Sequence, residues 1–494
     1  MFLSGMLAIL QIFYLPGAVF ARFSSIRVTP LSYFLVVGPL SLLLNHAITL
    51  LLTPGGFNHR PEWFAVAALE AALLVFVPTG RPRDFFRTDP KRFAGIERVF
   101  CGLAILASLY FLTRWMKSWG TVIHWTDTAL SWNRWALEWA ASTLPTISRF
   151  YPQMVAMVLS IPYQFTGQTE VEFFSLSAVT GIPFLAVGAM VSAFPFYPEK
   201  RASLSVACIA FIYFLNRISV PFSGYADAPL AAVVMIVLLF LMLAEPQEEA
   251  DRDRPIVIGG LLAGLAAVTK QLGVLMIPLF PLLFLLSGRP RAGRSAFIKS
   301  AALSVVIAGS WYGIKVYDLI TSRDQFGLPG IVETVPLGLL ERIPGAIERL
   351  DQYLIPGWAT RPLRLAAYGL LVLLAGVSVR REKKALIHLL IALAGTVFWI
   401  LVASYDSRNL SLVVPFLALL LGGAANGSGA GTVESAKKRG SFRTGYAWVF
   451  FAVLALAGQM FLPDGVLIRQ QKAGREEWIK AGAAFLPEAP GVKH

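Results

Sequence analysis

The sequence predicts an all-α, polytopic helical membrane protein of about fourteen spans, with about thirteen as the second count. Three observations carry this. Of 494 residues, 56% are hydrophobic and 15% charged, and the mean hydropathy is +0.64, well outside soluble composition. The apolar residues run in unbroken blocks of helical length, which excludes disorder and the weak alternation of an outer-membrane barrel. Lys and Arg gather in short stretches between those blocks. The formal charge of +14, from 43 Lys+Arg against 29 Asp+Glu, is therefore read as a topology signal, with no nucleic-acid partner.

In chain order the blocks lie at 2–20, 32–53, 62–79, 97–115, 172–194, 203–221, 227–244, 255–269, 272–288, 299–317, 363–379, 386–404, 410–424 and 445–463. Met1 to Leu10 has no basic segment ahead of its apolar run, so the first helix is expected to be retained. The run GRPRDFFRTDPKRFAGIER, with Arg81, Arg83, Arg87, Lys91, Arg92 and Arg98, marks a cytoplasmic loop. Alternation from it puts Arg22/Arg27, Lys200/Arg201, Arg289/Arg291/Arg294/Lys299, Arg380/Arg381/Lys383/Lys384 and Lys437/Lys438/Arg439/Arg443 on the same side. The opposite side then carries the longer polar connections, 116–171 and 318–362, the shorter Ser219–Pro229 and Ser404–Leu410, and a tail after Leu462. The Gly/Ser-rich 425–443 reads as a flexible cytoplasmic linker. Cys101 and Cys208 sit within apolar blocks and imply no disulfide framework.

The first outer loop is the richest in chemistry. In HWTDTALSWNRWALEWAAS (124–142), Trp132, Trp135 and Trp139 share one helical face and Asp127 stands in a capping-like position. The segment reads as an interfacial helix with an aromatic belt, and equally as a carboxylate beside aromatics on which a sugar could stack. The apolar stretch 152–166, interrupted by Pro162, is short for a span and is expected to be amphipathic or re-entrant.

W-T-D-T-A-L-S-W-N-R-W-A is followed by Y-P-Q-M, F-T-G, G-Y-A-D-A-P-L (224–230), V-T-K-Q-L-G (268–273) and Y-D-S-R-N-L (405–410). In this order of features the chain resembles the GT-C superfamily of membrane glycosyltransferases, the group with protein O-mannosyltransferases and the lipid A aminoarabinose transferase. The resemblance covers about residues 97 to 463. It divides the chain into three additional N-terminal helices (1–96), a GT-C-like catalytic module (97–463) and a short outer tail (464–494). It implies a polyprenyl-phosphate sugar donor, transfer on the non-cytoplasmic face, and Asp127 at the position of the family's loop carboxylate. The expected location is a bacterial inner membrane, with the site facing the periplasm or exterior. Relatives commonly begin with the span that introduces this loop, and many carry paired acidic residues in it; here three spans precede it and Asp127 has no adjacent partner. The tail is too short for the soluble domain some relatives carry.

Transfer from a lipid phosphate needs one base for the acceptor hydroxyl and cations for the departing phosphate, because phosphate leaves without a carboxylic acid's help. Asp127 supplies the base. Arg408, whose guanidinium suits phosphate, and Lys270, between two tightly joined apolar segments, are the candidate donor-phosphate ligands. Their structural alternatives are an internal ion pair of Arg408 with Asp406 and a Lys270 that snorkels. Trp132, Arg134, Trp135, Tyr151, Tyr225, Asp227 and Tyr405 complete the candidate substrate-binding set. Asp227 also fits helix capping or a pair with Arg217, and Arg134 fits a surface pair with Glu138. His124 with Asp127 is compatible with a divalent cation, but two ligands do not make a metal site, so no cofactor is required. In 331–358, Leu340, Ile343, Ile347, Leu350 and Leu354 share a face opposite Glu341, Arg342, Glu348 and Arg349, as in an interfacial helix that could gate a lipid donor.

The expected function is thus an inverting glycosyltransferase acting on a lipid, glycan or protein acceptor. A transporter or lipid flippase is the alternative, and would expect ionisable residues at mid-membrane in several spans. A polymerase or ligase of lipid-linked glycans would expect larger catalytic loops rich in Arg and His, whereas the chain has 5 histidines.

Overall fold

The computed structural model describes residues 1–78, 84–93, 95–117, 123, 128–145, 148, 151–169, 172–219, 221–244, 253–286, 294–321, 342–354, 360–381, 383–403 and 406–425. Among the described residues all regular structure is helical. In order, the helices are α1 (Phe2–Phe13), α2 (Leu15–Phe23), α3 (Pro30–Ser32), α4 (Gly38–Leu52), α5 (Arg60–Phe76), α6 (Gly95–Lys117), α7 (Arg134–Ala140), α8 (Met154–Thr166), α9 (Glu172–Gly181) and α10 (Pro183–Ala193). They continue as α11 (Arg201–Ile218), α12 (Asp227–Leu243), α13 (Arg254–Thr269), α14 (Met276–Leu286), α15 (Arg294–Thr321), α16 (Arg342–Leu354), α17 (Arg361–Arg381), α18 (Lys383–Phe398) and α19 (Val414–Gly423).

Every apolar block expected before residue 426 carries a helix; the last, 445–463, lies outside the described residues, as do the tail and the Lys437 to Arg443 cluster. Among the described residues five helices are long and apolar enough to cross a membrane: Phe2–Phe23, Pro30–Leu52, Glu97–Lys117, Pro198–Ile218 and Ser295–Tyr317. A sixth counts if α9 and α10, bent by 43°, act as one span. That bend falls where Pro183 follows Gly181, a pairing that removes a backbone donor and loosens the turn. The other apolar helices are shorter, 10–17 residues.

α8 corrects the amphipathic reading of 152–166 and agrees with the re-entrant one. Each of its residues from Met154 to Thr166 is buried, and it packs among α1, α4, α5, α7 and α9. An amphipathic surface segment would leave one side in contact with lipid or water. Here the apolar run is needed on all sides because the helix sits inside the bundle. The N-terminal helices are likewise built into the rest, with α1 on α8 and α4 on α13.

The bundle has two chemically distinct ends. Lys200 Nζ donates to the Met242 carbonyl at 2.7 Å, and the Tyr197 hydroxyl to the Leu243 carbonyl at 2.8 Å, at the last turn of α12. Arg201, 1% exposed, donates to the carbonyls of Phe194 and Arg92, both at 2.7 Å, and to Glu97 Oε2 at 2.9 Å. Arg87 pairs with Glu199 at 2.9 Å, and Arg254 reaches the Ser24 carbonyl at 3.2 Å. Arg22 reaches the Val77 carbonyl at 2.5 Å. Several basic clusters that the sequence assigns to one side therefore meet at one end. Asp227 begins α12 at the other end, about 25 Å away along a 17-residue helix.

Candidate functional site

Three chain breaks build the far end. Lys270 terminates α13 in extended conformation (φ −154°, ψ 155°) before a 3₁₀ turn at Gln271–Leu275. This turn needs Gly273, since a Cβ there would lie 1.8 Å from the Ala266 carbonyl oxygen. The turn before α12 needs Gly224, whose φ of +82° is unfavourable for side chains. The third break, before α19, is a 3₁₀ turn at Ser407–Leu410, started by Asp406, whose carboxylate accepts the Arg408 backbone N–H at 2.9 Å.

These turns bring four of the expected residues together. Lys270, 8% exposed, forms a buried ion pair with Asp227, 3% exposed. Its Nζ also donates to Asn409 Oδ1 at 3.1 Å. The neighbouring Arg408 donates from Nε to Asp406 Oδ2 at 2.7 Å, and its guanidinium lies over the Tyr225 ring with Cζ 3.9 Å from the centroid. Two cations from separate helices are thus joined through consecutive residues. Burial pushes the Asp406 carboxyl up, but the Arg408 hydrogen bond and charge outweigh it and hold the group below its ordinary value.

Two structural alternatives are decided here. Asp227 is the first helical residue, behind an Ala226 N-cap, and makes no capping bond; its carboxylate goes to Lys270. Lys270 does not snorkel, because its ammonium finds both acceptors inside the bundle. The Arg408–Asp406 pair and the Arg134–Glu138 pair, at 3.3 Å, are present.

The 128–142 segment differs from an exposed aromatic belt. Trp132, Trp135 and Trp139 are 3%, 5% and 0% exposed. Trp132 and Trp135 pack edge-to-face at 5.2 Å, Tyr151 closes against both at 6.0 and 5.7 Å, and Trp139 lies against Trp311 at 6.0 Å. Protein rather than a sugar or lipid covers these indoles, and of the trio Tyr151 alone keeps appreciable exposure, 37%. Trp132 belongs to a π-helical stretch, Thr128–Asn133. Its first residue, Thr128, donates to the Ser223 carbonyl at 2.8 Å. This bond ties the loop to the Gly224–Tyr225 turn. Asp127, His124 and Tyr405 lie outside the described residues.

Residues 331–341 are also outside the described set; α16 begins at Arg342. It turns Ala346 inward, Leu350 of the expected face packs against the core, and Ile347 of that face is 55% exposed. It packs on α11 and on the 399–403 and 407–410 turns, covering the Arg408 segment.

Sequence reading missed Asn409, which bridges to Lys270, and Lys315, 2% exposed. Lys315 Nζ donates to the Pro145 carbonyl at 2.9 Å and sits over Trp311 at 4.7 Å. A lone lysine in an apolar run was the available signal. Buried His46 and Glu70, on α4 and α5, were also missed. Among the described residues no group of three or more His, Cys, Asp or Glu could hold a metal.

No family model, curated protein or solved structure matches the chain.

Proposed function

We propose that the chain is a multi-pass membrane glycosyltransferase that moves a sugar from a polyprenyl-phosphate donor to a lipid, glycan or protein acceptor on the non-cytoplasmic face, with inversion. The observation that supports this reading is the Lys270–Asn409–Arg408 cluster at the end of the bundle opposite the basic clusters. Lys270 has three N–H bonds, of which Asp227 and Asn409 take two, so a phosphate oxygen can accept the third. A phosphodiester would join this neutral set of two cations and two carboxylates as one further acceptor.

In the proposed step the acceptor hydroxyl attacks the anomeric carbon from the face opposite the phosphate. The new C–O bond forms as the anomeric C–O(phosphate) bond breaks, and the electron pair leaves with the phosphate. The hydroxyl proton passes to Asp127. Lys270 and Arg408 offset the charge that gathers on the departing phosphate. Asp127 is joined by one peptide bond to Thr128, which is why the Thr128–Ser223 bond favours it as the base.

The test is Asp127→Asn in isolated membranes supplied with polyprenyl-phosphate sugars: transfer should vanish while expression persists, and near-normal turnover would remove the assignment. Burial of His46 and Glu70 within α4 and α5 favours a second reading, transport of a lipid or solute, since intramembrane ionisable groups often mark a path. Proteoliposomes distinguish the two: substrate crossing without a new glycosidic bond would replace transfer by transport.

A further inference from the structure

A cavity of about 380 Å³ lies at the basic end, away from Lys270 and Arg408, between α2, α13 and α15 and the segment that carries Phe85. Its volume is that of a small-ligand pocket. The floor is apolar, with Ile26, Phe85, Ile258 and Ala296 all buried. The rim carries Arg254, Lys299 and Asp253. Two helices begin here, α13 at Arg254 and α15 at Arg294, so the positive ends of both backbone dipoles add to the two cations. Asp253 occupies the N-cap position of α13.

We propose that this cavity binds the headgroup of a membrane phospholipid bearing a primary amine. The charges complement a zwitterion: Arg254 and Lys299 match the phosphodiester, and Asp253 matches the ammonium, which offers N–H donors that a quaternary amine lacks. A lipid fits better than a free phosphoester because the adjoining surface is apolar. α15 leaves Ile298, Val305 and Val306 exposed by 60%, 56% and 68%, and α14 leaves Leu285 66% exposed, a face along which acyl chains can lie. The proposal rests on the membrane placement of the bundle and is independent of glycosyl transfer.

The test uses the full chain, purified in detergent and delipidated, with lipid binding followed by native mass spectrometry. Phosphatidylethanolamine should bind more tightly than phosphatidylcholine or phosphatidylglycerol, and glycerophosphoethanolamine, which lacks the chains, should bind far more weakly. Lys299→Gln should weaken phosphatidylethanolamine by roughly tenfold, the loss of one charged hydrogen bond. Asp253→Asn should erase the preference over phosphatidylcholine. Both side chains are exposed, so the lipid-free melting temperature should stay unchanged and report that the variants fold. Equal binding of all lipids, equal binding by the chain-free headgroup, or indifference to Lys299→Gln would each overturn the proposal.

Discussion

The Arg408 guanidinium stacks on the Tyr225 ring at 3.9 Å while its Nε holds Asp406. The ring fixes the plane of the cation and the carboxylate fixes its rotation. Lysine can reproduce the charge but neither constraint. Under the proposed function Arg408→Lys should therefore raise the donor KM by roughly tenfold, with Tyr225→Leu giving a smaller rise of about two- to fivefold, as a cation–π contact worth about 0.5–1 kcal/mol implies. Titration of turnover against polyprenyl-phosphate sugar checks both; an unchanged donor KM in Arg408→Lys would end the phosphate role.

Lys270 and Asp227 are both buried and bound to each other, so removing one strands the other. Lys270→Met alone should cost about 3–5 kcal/mol of stability, and the double variant Lys270→Met/Asp227→Asn should recover most of it. Under the proposed function transfer should stay low in both, because stability returns and the proposed phosphate ligand does not. Thermal unfolding in detergent, paired with an activity assay on the same samples, separates the two effects. A double variant that regains full turnover would make the pair purely structural.

Much of this arrangement is legible in the sequence. The apolar blocks located the helices because backbone donors and acceptors within such a run must be satisfied internally. Lys270, Asp227 and Arg408 stood out because a charge in an apolar stretch demands a partner. What could not be read was the direction a side chain faces. Trp132, Trp135 and Trp139 share a face whether that face meets lipid, sugar or protein, and the packing of Tyr151 and Trp311 settled it as protein. Asn409 escaped notice because an amide beside an arginine carries no signal until the turn aims it at Lys270.

Asp406 yields a pH prediction. Burial raises its carboxyl, and the stronger effect of Arg408 leaves it below the ordinary value. A carboxyl whose folded value is depressed adds stability above its unfolded value, and that stability is lost as pH falls through the folded one. Asp406→Asn keeps a side chain that can cap Arg408 while removing the charge. The stability gap between wild type and Asp406→Asn should be flat from about pH 5 to pH 8 and narrow below about pH 4. Unfolding curves across that range check it; a gap that changes near neutrality would show that another group governs the pair.

Gly224 lies where the Thr128 stretch meets the Tyr225 turn. Its φ is +82°, and a Cβ there would lie 2.8 Å from Thr128 Cγ2 and 3.1 Å from Leu176 Cδ1. Gly224→Ala therefore carries a backbone cost of about 1–2 kcal/mol and pushes Thr128 from the Ser223 carbonyl. The displaced element is the loop that carries Asp127, so turnover should fall more than donor affinity. Gly273→Ala acts instead beneath Lys270, where the added Cβ meets the Ala266 carbonyl, and should weaken donor affinity. Thr128→Ser keeps the hydroxyl and removes the clashing methyl, so Gly224→Ala/Thr128→Ser should regain part of the turnover that Gly224→Ala loses. Steady-state kinetics of the single and double variants decide it, and a double variant no better than Gly224→Ala would mean that the methyl contact does not set the position of the loop.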